Sequence, residues 1–166
     1  MKGELKMRLE INHEVKNFCK KFGLTHIQLA DEFAYYPENN LITYTIWKTD
    51  TDEELIKLVN EKYETDIAPL YMIFSLLHEI GHYMTIDNFN DEDLETDLFM
   101  RNMIQMMDEE KQGEMYINLP MEDAATSWAL DFIKNNFELC SNFENKVAKI
   151  FNKGLTELKR NGIIYI

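Results

Sequence analysis

Apolar positions recur at intervals of three and four over most of this chain and alternate only in one early stretch. Val15, Phe18, Cys19 and Phe22 fall at helical spacing and Gly23 follows at a natural stop, so residues 12–22 predict a helix. Residues 26–34 alternate more like a strand, and 41–47 (Leu-Ile-Thr-Tyr-Thr-Ile-Trp) are rich in β-branched and aromatic types. Pro37-Glu38-Asn39-Asn40 between them is turn chemistry, so the pair predicts an antiparallel hairpin or meander. Thr51-Asp52-Glu53-Glu54 matches a capping box ahead of a short helix with Leu55, Leu58 and Val59 inside.

The segment 68–86 predicts a second kind of helix. Pro69 suits its start, and Leu70, Ile73, Phe74, Leu76, Leu77, Ile80 and Tyr83 make it apolar on most sides. An acidic run from Asp91 to Asp97 fits the N-terminus of the next helix, which carries Phe99, Met100, Met103, Ile104, Met106 and Met107. Residues 114–118 predict a short strand, and Pro120 opens a helix over about 120–136. Ser141-Asn142-Phe143-Glu144 matches a second capping box, ahead of Val147, Ile150, Phe151, Leu155 and Leu158 on one face. Asn161-Gly162 ends that helix, and Ile163 to Ile166 predict a last strand or a docked tail. The expected fold is α+β in one domain, 1–166, with a short antiparallel sheet packed on several helices around 68–86.

Inside the apolar 68–86 segment stands His78-Glu79-Ile80-Gly81-His82. Four residues apart on a helix, the two imidazoles share one face and can grip one Zn²⁺, with Glu79 beside them to take a proton from an attacking water. Three ionisable groups in buried sequence would cost several kcal/mol unpaired, and a metal relieves that cost. The plainer alternative is two unrelated histidines and a glutamate. Gly81 weakens a helix by about 1 kcal/mol relative to Ala, which makes sense where another backbone approaches closely.

Composition narrows the setting. The chain has 166 residues, 45% hydrophobic, enough for one domain with a core. A net charge of −13 argues against general nucleic-acid binding, which needs Lys and Arg at phosphates. No stretch approaches 18 apolar residues and no signal-peptide h-region appears before Asn12, so no membrane role is expected. Cys19 and Cys140 read as free thiols on half-buried helix positions, and the expected location is the cytoplasm.

A catalytic zinc site needs a third protein ligand. His13 and His26 lack supporting pattern, and no His follows the motif, so a later carboxylate is the better choice. Glu122 stands out because Ala125, Thr126 and Ala129 share its helical face and let that helix lie close to the motif helix. Asp123, Glu95 and Asp97 remain alternatives, and the plainer reading of Glu122 is a charge favouring the helix dipole at an N-terminus.

These two segments carry a resemblance. His78-Glu79-Ile80-Gly81-His82 with Glu122-Asp123-Ala124-Ala125-Thr126-Ser127-Trp128-Ala129 about 40 residues on resembles the gluzincin metallopeptidases. More narrowly it is similar to the ImmA/IrrE-type family of small intracellular metallopeptidases, bacterial or phage-borne, with Thr126 for Asn and Trp128 for Phe in the downstream segment. The likeness covers about 68–136. It implies a zincin-like domain, Zn²⁺ held by His78, His82 and Glu122, Glu79 as general base, and narrow cleavage of a protein or peptide substrate such as a transcriptional regulator. Tyr83, Tyr116 and His26 are candidates to stabilise the oxyanion, and the early hairpin offers an edge for an extended peptide. The methionines of 88–118 suit either a lid or a helix packing its Met face on the core. Two other readings stand beside the peptidase: a catalytically idle zincin-fold protein, encoded by a phage or mobile element, that sequesters a host partner, and a zinc hydrolase of a non-peptide amide.

Overall fold

A computed structural model describes residues 2–161 of the chain, so the strand or tail expected at Ile163 to Ile166 lies outside the described residues. The described residues form an α+β fold of seven α-helices and one three-stranded sheet. Helix α1 spans Lys2–Cys19, ten residues longer at its start than the spacing of Val15, Phe18 and Cys19 alone predicts, because Met7 and Ile11 continue the same buried stripe. Strands β1 (His26–Leu29), β2 (Ala34–Tyr36) and β3 (Leu41–Tyr44) follow.

The sheet is mixed and not antiparallel. Its order is β1-β3-β2, with β2 antiparallel to β3 and β1 parallel to it. The Pro37–Asn40 turn does close a hairpin, with Asn40 at φ 50, but the hairpin joins β2 to β3. Residues 30–33 carry the chain from β1 past β3's place to the far edge. Four extended residues reach about 13 Å, enough to step over two inter-strand gaps of about 4.8 Å. The central strand is the buried one: Ile42, Thr43 and Tyr44 are all buried.

Helix α2 (Asp50–Tyr63) is capped two residues earlier than expected. Thr49, extended at φ −106, accepts from the Asp52 N–H while Asp52 takes the Thr49 N–H at 2.7 Å. A 3₁₀ turn holding Pro69 then leads into α3 (Tyr71–Thr85), the motif helix, whose Ile73, Leu76, Leu77 and Ile80 have no exposure at all. Helix α4 (Asp91–Gln105) begins at an Asn90–Asp93 capping box. Residues 114–118 are not a strand. They end helix α5 (Glu109–Ile117), whose half-buried or buried Gly113, Tyr116 and Ile117 recur at helical spacing, with Gly113 set against Leu58 and Leu55 of α2. Helix α6 (Pro120–Asn135) starts at the expected proline and packs along α3, its principal neighbour.

Helix α7 (Phe137–Arg160) runs against α1 and begins before Ser141, which lies in its interior. Glu144 therefore caps no helix of its own. Its two carboxylate oxygens accept the N–H groups of Met72 at 3.2 Å and Ile73 at 2.8 Å, which are free donors at the start of α3. Glu144→Ala is expected to destabilise the fold by about 1–3 kcal/mol in urea unfolding, the usual penalty for orphaned buried donors. Burial pushes the Glu144 carboxyl above its ordinary 4.5, against the pull of the two N–H donors. A raised folded value means the fold prefers the protonated acid, so this contribution is complete below the unfolded value and is lost as pH rises through the folded one. Wild type should lose stability relative to Glu144→Gln as the pH climbs past 4.5; a gap independent of pH would contradict this.

Cys19 and Cys140 are free thiols, fully buried and not half-buried, and burial pushes Cys19 up to about 12 and Cys140 to about 11. Most methionines of 88–118 stay out of the core, with Met100 half-buried. Met103, Met106, Met107 and Met115 are exposed, as are Leu98 and Phe99. No described helix is long and apolar enough to cross a membrane.

Candidate metal centre

Gly81 brings α3 and α6 together. A Cβ there would fall 2.5 Å from the Ala125 carbonyl oxygen and 3.0 Å from the Ala125 Cα, so only glycine permits this approach. Ala125 and Ala129, both fully buried, complete the close face on α6. The result sets the first turn of α6 beside the two histidines of α3.

There the donors converge. His78 Nε2 lies 2.9 Å from Glu122 Oε2 and 3.2 Å from His82 Nε2, and His82 Nε2 lies 3.4 Å from the same Glu122 oxygen. Among the described residues, His78, His82 and Glu122 form the one group of His, Cys, Asp or Glu close enough to hold an ion together. Zinc bonds of about 2.0–2.1 Å in tetrahedral geometry separate neighbouring donors by about 3.3 Å, so the three atoms fit one face of such a site. The set is two imidazoles and one carboxylate, three donors that would leave a fourth position of a tetrahedral ion open. The ring orientation fits as well. Thr126 Oγ1 sits 3.1 Å from His78 Nδ1, where it can take that N–H and leave Nε2 as the ligand.

The protein's own charges shape the site further. Burial disfavours the charged form of His78, but the Glu122 hydrogen bond and the Glu79 and Glu122 charges outweigh it and raise its value. Burial opposes ionisation of Glu122 too, yet its bonds to His78 and His82 hold it well below the usual carboxylate range. Glu79 moves the other way. Burial raises it, only partly offset by His78 and His82.

Glu79 and Glu122 open onto a cleft of about 350 Å³ also bordered by Phe74, Tyr116, Thr126 and the 31–33 segment. Of the three residues considered for the oxyanion, only Tyr116 shares this cleft. Tyr83 packs edge-on against Tyr35, and His26 is exposed beside the Asn39 carbonyl on the sheet. His13 is also exposed and pairs with Asn17 on α1. Of the alternative third ligands, Asp123 is engaged by Lys62 at 2.7 Å and by Tyr63, and Glu95 is exposed. Asp97 is buried nearby but faces Arg101.

Arg101 is the residue that sequence reasoning missed. Its Nη2 donates to Glu122 Oε1 at 2.6 Å and its Nε to Asp97 Oδ2 at 2.5 Å. One signal was available: Arg101 is the only Lys or Arg between Lys62 and Lys111. Compared with family models, with curated proteins and with solved structures, the chain matches none.

Proposed function

We propose that this protein is a zinc-dependent peptidase, with His78, His82 and Glu122 holding the metal and Glu79 acting as general base. The observation that carries the reading is the meeting of both Nε2 atoms and Glu122 Oε2 within 3.4 Å of one another, with buried Glu79 on the same cleft. Zinc bound there would supply Lewis acidity, lowering the pKa of a water toward about 7 and polarising a carbonyl. Glu79 takes the proton of the attacking water and passes it to the leaving amine. Tyr116, at the cleft wall, is placed to donate to the oxygen that becomes negative. An extended peptide can lie along the 31–33 segment and the adjoining β2, whose outer edge is unpaired among the described residues.

The gluzincin resemblance supports the same assignment, in its ImmA/IrrE-type form with a regulatory protein as the substrate. Zinc-loaded protein incubated with a library of unstructured peptides tests it. Wild type should cut a narrow subset, and Glu79→Gln should keep its zinc while losing about 10²–10⁴-fold in rate. Equal cutting by the variant would remove Glu79 as the general base, and zinc binding with no hydrolysis of any peptide would favour the idle binding protein.

A further inference from the structure

We infer that Asp97 and Arg101 form a positioning clamp that fixes Glu122 as a one-oxygen metal ligand, and this rests on the metal site proposed above. The two Glu122 oxygens have separate duties. Oε2 faces both histidines, and Oε1 is taken by the Arg101 guanidinium at 2.6 Å. A carboxylate with both oxygens free can swing to chelate a cation through the pair; one held at Oε1 cannot. Glu122 itself is 2% exposed, which shields that oxygen from bulk solvent.

Charge explains the third member. A lone guanidinium beside a cation-binding carboxylate would repel the cation it helps to hold. Asp97, one turn before Arg101, restores neutrality and grips the guanidinium by its Nε, so Arg101 is fixed at two points. The plane of Arg101 also lies over the Tyr116 ring, 5.3 Å from its centre. The other Asp97 oxygen, Oδ1, is buried without a hydrogen-bond partner among the described residues. Among the described residues, the Arg101 guanidinium is the charged group paired with this buried carboxylate.

The set of helix α4 supplies an independent observation. An amphipathic helix ordinarily turns its apolar face inward. Helix α4 buries Asp97 at 8% exposure while leaving Leu98 and Phe99 each 61% exposed. The same inward face buries Ile104, but burying a charge while Leu98 and Phe99 stay outside is costly, and the Arg101–Glu122 ion pair is what α4 gains in that orientation.

The test measures zinc affinity by chelator competition and the visible spectrum of the cobalt(II)-substituted protein. Arg101→Ala is expected to weaken zinc about 10–100-fold, the usual effect of losing a group that orients a ligand. Its cobalt bands should weaken as Glu122 turns to two-oxygen binding and the ion gains a ligand. Arg101→Lys keeps the charge without the fork and should recover only part of the affinity. Asp97→Asn, which disturbs packing least, should shift both readouts in the same direction. Wild-type affinity and an unchanged cobalt spectrum in Arg101→Ala and Asp97→Asn would overturn the clamp while leaving the metal site standing. Failure of wild type to bind either metal would remove the site and the clamp together. Melting of the metal-free variants separates a fold defect from a ligand defect: the clamp requires their affinity to fall while the metal-free fold persists.

Discussion

Saturating zinc should raise the melting temperature of this protein by about 8–16 °C, and Glu122→Ala should abolish that shift. A ligand at 1,000 times its dissociation constant stabilises by about 4.1 kcal/mol, and each kcal/mol moves the midpoint by about 2–4 °C in a chain of 150–250 residues. The effect is concentrated at Glu122 because it alone brings a second helix to the ion. His78 and His82 both belong to α3, whereas Glu122 ties α3 to α6 and, through Arg101, to α4. With alanine there, two imidazoles remain on one helix and Arg101 loses its partner beside the site. A chelator should return the wild type to its metal-free midpoint and leave the variant unmoved. A zinc-dependent shift of wild-type size in Glu122→Ala would remove Glu122 from the ligand set.

Gly81→Val should cost at least about 3 kcal/mol in urea unfolding and lose zinc affinity with it. Overpacking a core site ordinarily costs about 1–3 kcal/mol, and here the neighbour is the backbone of Ala125, which has no rotamer to yield. Even Gly81→Ala, which gains about 1 kcal/mol of helix propensity, places its Cβ 2.5 Å from that carbonyl oxygen. The helices must separate to admit either side chain. Because the histidines ride on α3 and Glu122 on α6, separating them opens the donor triangle at the same time. Stability and metal affinity should therefore fall together across the series Gly, Ala, Val. A valine variant as stable and as tight-binding as wild type would show that this contact does not set the site.

The candidate site was largely legible in the sequence because its parts are local or carry their own surroundings. Spacing put His78 and His82 on one face, and the small residues at Ala125, Thr126 and Ala129 marked where α6 could approach. Gly81 made the same point from the other helix. What escaped was non-local. The partner of Arg101 lies 21 residues away on another helix, and no periodicity encodes it. The sheet misled for a similar reason: alternation shows that β1 and β3 are strands, but only the path of residues 30–33 makes them parallel neighbours.

Capping boxes misled differently. Thr49–Asp52, Thr51–Glu54 and Ser141–Glu144 all fit the pattern, and backbone geometry realises only the first. Glu144 serves α3 instead, a use that its own helix cannot announce. Residues 114–118 predict a short strand from sequence, while the half-buried Gly113 and Tyr116 and the buried Ile117 follow a helical face set by α2.

The central claim is that one zinc is held by two histidines and one glutamate, with a position left for water. X-ray absorption at the zinc edge of the purified, zinc-loaded protein measures that shell directly. The account predicts four nitrogen or oxygen neighbours at about 2.0–2.1 Å, with the outer scattering of two imidazoles and no sulfur. A sulfur neighbour at about 2.3 Å, or a shell without two imidazoles, would contradict it.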